Sequence, residues 1–320
     1  MSSQEDKTVC PIRFRFFEEI SSRPKWRDDV DAVKHKPQRI IGDYSFSKQN
    51  QVHCGLKSCR SSHMNGYVIE TVDGLETHIG NRCGSIYFGV TWGEVRSAFN
   101  RATEDRDRQE WLVDVLAQRE TLLLISQSLL QNVIESSQEI RTIVERLKKE
   151  SELYSSFTRV LRAGGIIQIE KSVDVETAKA MNLPLSQRHT FETIGRITSI
   201  EVLPNESAPF PGDQVASKLR TQAIPIFAQL SATALRNLNY RQRKNRAKDI
   251  ENAKLILKDA EKYIASARLF LLPANLRQFG RLQISKMNQR SERILKQFCA
   301  MPDKPGSTIG FVDDTRQSEA

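Results

Sequence analysis

The sequence predicts a mainly α-helical protein. A long antiparallel helical hairpin of coiled-coil type would carry a small β-hairpin module near the N-terminus and a small α+β insert between its arms. Three observations predict this fold. Apolar residues recur at heptad spacing over two long stretches, and an Asp-Gly pair separates two β-prone runs. In addition, three of the five cysteines lie within thirty residues of one another.

These patterns divide the 320 residues into six segments. They are an irregular N-terminal segment (1–39), a cysteine-containing module (40–90), a first long helical arm (91–163), a small α+β insert with a linker (164–212), a second helical arm with a terminal helix (213–301) and a flexible tail (302–320).

The composition suits exposed helices better than a compact enzyme. Charged residues make up 27% of the chain and the mean hydropathy is −0.47, as expected where long amphipathic helices expose much surface. The sequence has neither an apolar run of transmembrane length nor a signal peptide, so we expect no membrane association. Cysteines without a secretory signal favour a reducing compartment and metal binding over disulfides. We therefore expect a cytoplasmic protein.

The cysteine-containing module has the residues of a structural zinc site. Cys54, Cys59 and His63 are spaced as zinc ligands are in loops, and structural zinc takes four such donors in a tetrahedron. A hairpin turning at Asp73-Gly74 would return the chain so that Cys83 faces the first three. We therefore predict that the module 40–90 binds zinc as a cofactor.

The preferred ligand set is closed and of the Cys3His type, and His78 is the reserve ligand because strand geometry does not force it toward the cysteines. A disulfide framework and ordinary buried cysteines are the competing explanations. The preferred ligands are Cys54, Cys59, His63 and Cys83.

The first arm is predicted by a 3.5-residue period that is sustained over several heptads after a helix start near Thr91. Two heptad positions are apolar throughout, apart from Ser136 in the first and Arg119 and Ser126 in the second. Gly164-Gly165 then ends the helix. The apolar members of the two positions are Val115, Leu122, Leu129 and Ile143, and Leu112, Val133, Ile140, Leu147 and Tyr154.

The insert is predicted from two β-prone runs. They begin at Ile166 and Thr190, with a brief helix over 174–182 between them. Prolines at 204, 209 and 211 mark the linker.

In the second arm, large apolar residues recur every seven positions and alanines recur in step with them, which allows two helix axes to approach closely. We expect an interruption at Pro225 and an antiparallel partner in the first arm, or else a homodimer seam. The recurring residues are Ile250, Leu257, Ile264 and Leu271, with Ala253, Ala260, Ala267 and Ala274.

Positive charge is concentrated at the start of this arm. The net charge is +9, and thirteen residues hold six bases with no acid before Asp249. Such a run can neutralise phosphates, and Tyr240 could stack on a base. The candidate nucleic-acid-binding residues are Arg236, Arg241, Arg243, Lys244, Arg246 and Lys248.

Two function classes follow. The first is a non-enzymatic, zinc-containing coiled-coil protein that associates with DNA or RNA through the basic helix face. The second is a protein-interaction scaffold without nucleic-acid binding, with a protein partner or a homodimer formed through the arms. Phosphate-binding, dinucleotide-binding, HExxH and deaminase motifs are absent from the sequence. A metal-dependent hydrolase or nuclease stays open, although three thiolates favour a closed structural site.

Overall fold

The computed structural model describes residues 11–300, except for 60, 183, 185–188, 205–207, 285 and 286. The predicted tail, from 302 to 320, lies outside these residues. The chain is 61% helical and has several sheets of few strands, so the mainly α class with a small β portion is confirmed. It forms two compact units. The first takes the described residues up to Gln118 together with Leu230–Lys248, and the second takes Arg119–Gln229 and the described residues from Asp249 onward.

The first unit is built on a four-stranded sheet in the order β1-β2-β5-β6. Strand β1 pairs parallel to β2, and the other two pairings are antiparallel. Strands β5 and β6 form the hairpin predicted around Asp73-Gly74. The elements up to this point are β1 (Ile12–Phe14), α1 (Phe17–Ser21), β2 (Pro37–Ser45), β3 (Val52–His53), β4 (Ser62–His63), β5 (Asn65–Thr71) and β6 (Glu76–Gly80).

The two faces of this sheet bury different residues, because successive strand side chains point to opposite sides. One face packs Tyr44 and Val68 against α1. The other packs Ile69 and Ile79 against the aromatic side chains of the following helix and against the three cysteines of the module. The segment 1–39 was expected to be irregular, but its described part supplies β1, α1 and the first residues of β2.

Helix α2 (Asn81–Ala117) begins ten residues before the predicted start at Thr91. Its path contains a kink at Gly89, whose φ of 52° and ψ of −123° are not helical. The glycines at 84, 89 and 93 weaken the helical pattern in the sequence, which explains why the early start was missed. As a result Cys83 lies in the first turn of a helix rather than in a loop.

The first arm is three helices rather than one: α2, then α3 (Arg119–Lys148) and α4 (Ser151–Arg162). The chain leaves helical geometry near Gln118 and again at residues 149 and 150. In α3 and at the end of α2, one of the two predicted heptad positions is the better buried. Its residues Leu112, Val133, Ile140 and Leu147 are all at most 1% exposed. The heptad pattern therefore identified the buried stripe correctly, although not the helix ends.

In the second unit, α3 packs antiparallel against the segment Pro211–Ala228. The Arg119 guanidinium donates to the Ala228 carbonyl, and Arg141 pairs with Asp213. This segment is α6 (Pro211–Lys218), a π-helical turn (Leu219–Ala223) and α7 (Ile224–Ala228). Pro225 was expected to interrupt the arm, and the π turn before it instead accommodates a residue that lacks an N–H.

After α8 (Ala232–Arg236), helix α9 (Tyr240–Phe270) carries the alanine repeat. Ala253, Ala260 and Ala267 are at most 1% exposed, whereas Ala274 falls in the next helix and is exposed. Gly212 of α6 lies directly against both the Tyr263 hydroxyl of α9 and Ser137 of α3, so three helices meet closely at this point.

The insert follows the prediction closely. Strand β7 (Ile166–Ser172) pairs antiparallel with β8 (His189–Arg196), and α5 (Val175–Ala180) begins at Asp174, whose carboxylate caps it by accepting from the Thr177 N–H at 2.7 Å. Strand β8 ends at Arg196. The terminal helix expected at the end of the segment 213–301 is divided into α10 (Pro273–Leu276), a 3-10 turn and α11 (Gln289–Cys299).

Candidate functional site

Three cysteine side chains meet in the core of the first unit. The Sγ atoms of Cys54, Cys59 and Cys83 all lie within 4.8 Å of one another. Those of Cys59 and Cys83 are 3.2 Å apart. Thiolates bound to one tetrahedral zinc ion would be separated by about 3.8 Å, from a Zn–S bond of about 2.3 Å. The cluster therefore has the dimensions that one metal ion requires.

Two pieces of chain bring these thiols together. Cys54 and Cys59 lie in the connection between β3 and β4, and Cys83 lies in the first turn of α2. All three are 5–7% exposed. Gly84, next to Cys83, packs against the indole of Trp92, which leaves no room for a side chain there.

Burial dominates the ionisation of the thiols. It raises the pKa of Cys54, and it also raises the pKa of Cys83 together with the hydrogen bond to Cys59. Burial acts in the same direction on Cys59, but hydrogen bonds from the Ser61 backbone and from Cys83 outweigh it, so that the pKa of Cys59 is lowered. Because a nearby cation favours thiolates, a metal ion would relieve the desolvation that the thiols experience here.

The two predicted histidine ligands do not join the thiols. Within the described residues, the group of potential ligand atoms consists of the three cysteines alone. His78 lies on the side of β6 opposite Ile79, and its ring centroid is 5.0 Å from that of Phe17 and 6.2 Å from that of His63. His63 lies against Gly80, and Tyr44 is hydrogen-bonded to its Nδ1 at 2.9 Å.

Each histidine nevertheless has one buried ring nitrogen without a hydrogen-bond partner. In His78, Nε2 donates to the His53 carbonyl at 2.6 Å, so Nδ1 keeps its lone pair, and that atom is unpartnered. In His63 the unpartnered atom is Nε2. Burial, together with the charges of His78 and His53, lowers the pKa of His63 to about 4. The imidazole is therefore neutral at pH 7, which is the form that binds metals.

The basic segment is divided between internal and exposed roles. Arg243 faces α2, where its Nε is 2.7 Å from Asp105 Oδ1 and its Nη2 pairs with Oδ2. The hydrogen bond to Asp105 raises the pKa of Arg243. Tyr240 is covered by the Arg108 guanidinium, 5.3 Å from the ring centroid. Neither residue offers a free group for a ligand.

The remaining bases of the segment point away from α2 or lie at its edge. Arg241, Lys244 and Lys248 are exposed, and their spacing of three and four residues places them on one side of α9. Arg243 lies on the buried side of α9, in line with the buried Ala247 and Ile250 at helical spacing. Arg236 is exposed on α8, and Arg246 is half-buried.

Comparison with models of protein families, with curated proteins and with solved structures finds no match for this chain. Among the helices of the described residues, none has the length and apolar character that crossing a membrane demands.

Proposed function

We propose that the protein is a non-enzymatic zinc protein of the cytoplasm whose metal centre is structural. The observation that carries this proposal is the group of three buried thiols within 4.8 Å of one another. Thiolates are soft donors that favour zinc over magnesium or calcium. Three of them form a site of the closed, structural class, whereas catalytic zinc keeps an open position.

We propose His63 as the fourth ligand and keep His78 as the reserve. His63 offers Nε2, while its Nδ1 is held by the Tyr44 hydroxyl, an arrangement typical of metal-binding histidines. Binding through Nε2 would require the β3–β4 connection to shift toward the imidazole. His78 offers Nδ1 in a fixed tautomer and lies on the same sheet face as His63, with the two ring centroids 6.2 Å apart.

Elemental analysis of protein made with zinc available tests this centre. We expect one zinc per chain, and its loss when Cys59 or Cys83 is replaced by serine. Exposed Cys299 is the matched control, since Cys299→Ser should leave the zinc content unchanged. His63→Gln should weaken zinc binding more than His78→Gln. Metal-free wild-type protein from zinc-supplemented cells would end the proposal.

We further propose that the helices form an extended hairpin whose basic face associates with nucleic acid. The support is the set of three exposed bases on one side of α9, for which the described residues provide no ion pair. A phosphate backbone complements such a face through charge alone. Because Arg108 covers Tyr240, base stacking is not part of the proposal, and binding should be insensitive to sequence.

The test compares two triple variants with equal loss of charge. Replacing Arg241, Lys244 and Lys248 by alanine should weaken binding to a duplex and lower the salt slope by up to about 2.7, since each phosphate contact contributes about 0.9. The control replaces three exposed bases nearer the other end of α9, where acidic residues are interspersed, and should bind as wild type. The control positions are Lys258, Lys262 and Arg268.

A protein-interaction scaffold is the alternative, and one observation favours it. Ile86 and Val90 are 76% and 82% exposed on either side of the kink at Gly89, and such exposed apolar side chains are available to a partner. Micromolar protein that retains neither DNA nor RNA at low salt would overturn the nucleic-acid proposal and leave the scaffold as the function to pursue.

A further inference from the structure

The three thiols are not equivalent in their geometry. The Sγ atoms of Cys59 and Cys83 are 3.2 Å apart, and that of Cys54 lies within 4.8 Å of both. A disulfide has an S–S bond of about 2.0 Å, so the two sulfurs need to approach by only about 1.2 Å. Cys59 lies in the connection between the short strands β3 and β4, so its approach to Cys83 requires a shift of that connection.

We infer that the centre is a redox switch, in which a peroxide links Cys59 to Cys83, releases the metal ion and leaves Cys54 reduced. This inference rests on the metal centre proposed above and adds its regulation. The thiols of a zinc site are also the residues that oxidation would consume, because the thiolate is both the metal ligand and the nucleophile.

The chemistry balances with hydrogen peroxide as the oxidant. One sulfur of the pair attacks a peroxide oxygen, the O–O bond breaks, and a sulfenic acid and water form. The second sulfur attacks that sulfenic sulfur, the S–S bond forms, and a second water leaves. The two thiolates lose two electrons, the peroxide gains them, and two protons are taken from solvent. The metal ion is then left with too few donors and dissociates.

Burial selects the oxidant. The side chains of Cys59 and Cys83 are only 7% and 5% exposed, so a small peroxide can reach them but a disulfide of glutathione cannot form a mixed disulfide without opening the core. Cys54, at 6% exposed, is equally buried, so accessibility does not decide which pair is linked. The choice of pair in this inference rests on the 3.2 Å contact between the Cys59 and Cys83 sulfur atoms.

The sequence allows the products to be assigned by tryptic mapping. Cleavage after Lys57 separates Cys54 from Cys59, and cleavage after Arg60 and Arg82 isolates the Cys59 and Cys83 peptides. The experiment uses the full chain with Cys10→Ser and Cys299→Ser, which removes the other two thiols. Zinc content is measured first, hydrogen peroxide is then titrated, and released zinc is followed with a chromogenic chelator. Free thiols are alkylated before digestion.

We expect one Cys59–Cys83 linked peptide for each zinc released, Cys54 recovered in alkylated form, and restoration of zinc binding by dithiothreitol. Oxidised glutathione at the same concentration should release none. A Cys54→Ser variant should still form the link under peroxide, and a Cys83→Ser variant should not. Links through Cys54, sulfinic acids without a link, or zinc retained under peroxide would each overturn the switch.

The two proposals fail in different ways. If the protein holds no metal before peroxide is added, the proposed metal centre is wrong, and mapping of the same metal-free sample still tests the thiol pair. If the metal is present and the Cys59–Cys83 link does not form, the metal centre stands and the switch is wrong.

Discussion

The ion pair between Arg243 and Asp105 should stabilise the first unit, although Arg243 belongs to the segment expected to bind phosphate. The side chains of Arg243 and Asp105 are 17% and 20% exposed. Two parallel hydrogen bonds join them. Arg243 also donates through Nη1 to the Leu238 carbonyl at 2.5 Å. The pair thus fastens the start of α9 to α2.

The size of the effect follows from this burial. Exposed ion pairs contribute about 0.2–1 kcal/mol, whereas removing one partner of a buried pair costs about 3–5 kcal/mol. For a mostly buried bidentate pair we expect Asp105→Ala to cost about 2 kcal/mol. Arg243→Ala should cost somewhat more, since it also loses the bond to Leu238. The double variant should show a coupling energy of about 1–2 kcal/mol.

Tryptophan fluorescence during urea unfolding measures this directly. The chain's three tryptophans, at 26, 92 and 111, all lie in the first unit. Arg241→Ala is the matched control, because that side chain is exposed and the described residues give it no ion pair, and it should stay within about 0.5 kcal/mol of wild type. Single variants as stable as the control, or a coupling energy near zero, would refute the reasoning.

Two further predictions concern the second unit. Ala260→Leu should cost about 1–3 kcal/mol of unfolding free energy by overpacking, because Ala260 is fully buried. Ala265→Leu, at an exposed position of the same helix, is the control and should be nearly neutral. Equal stabilities of the two variants by circular dichroism would contradict the close packing of α9. Gly165→Ala should destabilise more than Gly164→Ala. Both residues have positive φ, but only at Gly165 would a methyl group meet a backbone atom, the Ile197 carbonyl oxygen. Reversed order in thermal unfolding would count against that geometry.

Local patterns predicted the parts of the fold that local physics determines. The Asp-Gly turn identified the β5–β6 hairpin, and Asp174 identified the start of α5. The heptad repeat identified the buried side of α3, because burial of one helical stripe is what the repeat encodes. These features depend on residues within a few turns of one another.

The missed features depend on contacts that no local pattern contains. Strand β1 pairs with residues thirty positions later, and Arg243 finds Asp105 at a separation of 138 residues. The assignment of Arg243 to phosphate binding ignored α2 for this reason. In the candidate metal site, the grouping of the three cysteines was predicted from composition and spacing. Spacing alone left the fourth ligand between His63 and His78, since either imidazole could reach across a hairpin.

The backbone at Gly89 has a consequence for substitutions near the three buried cysteines. The structure leaves open space where a side chain at this position would project, so a ranking of variants by steric fit would rate Gly89→Ala as harmless. Yet its φ of 52° with ψ of −123° is a conformation that L-amino acids essentially do not adopt. Alanine would force the first two turns of α2 to realign, and Cys83 travels with those turns. A substitution at Gly89 should therefore displace Cys83 from the cysteine cluster, although Gly89 lies six residues away in the sequence.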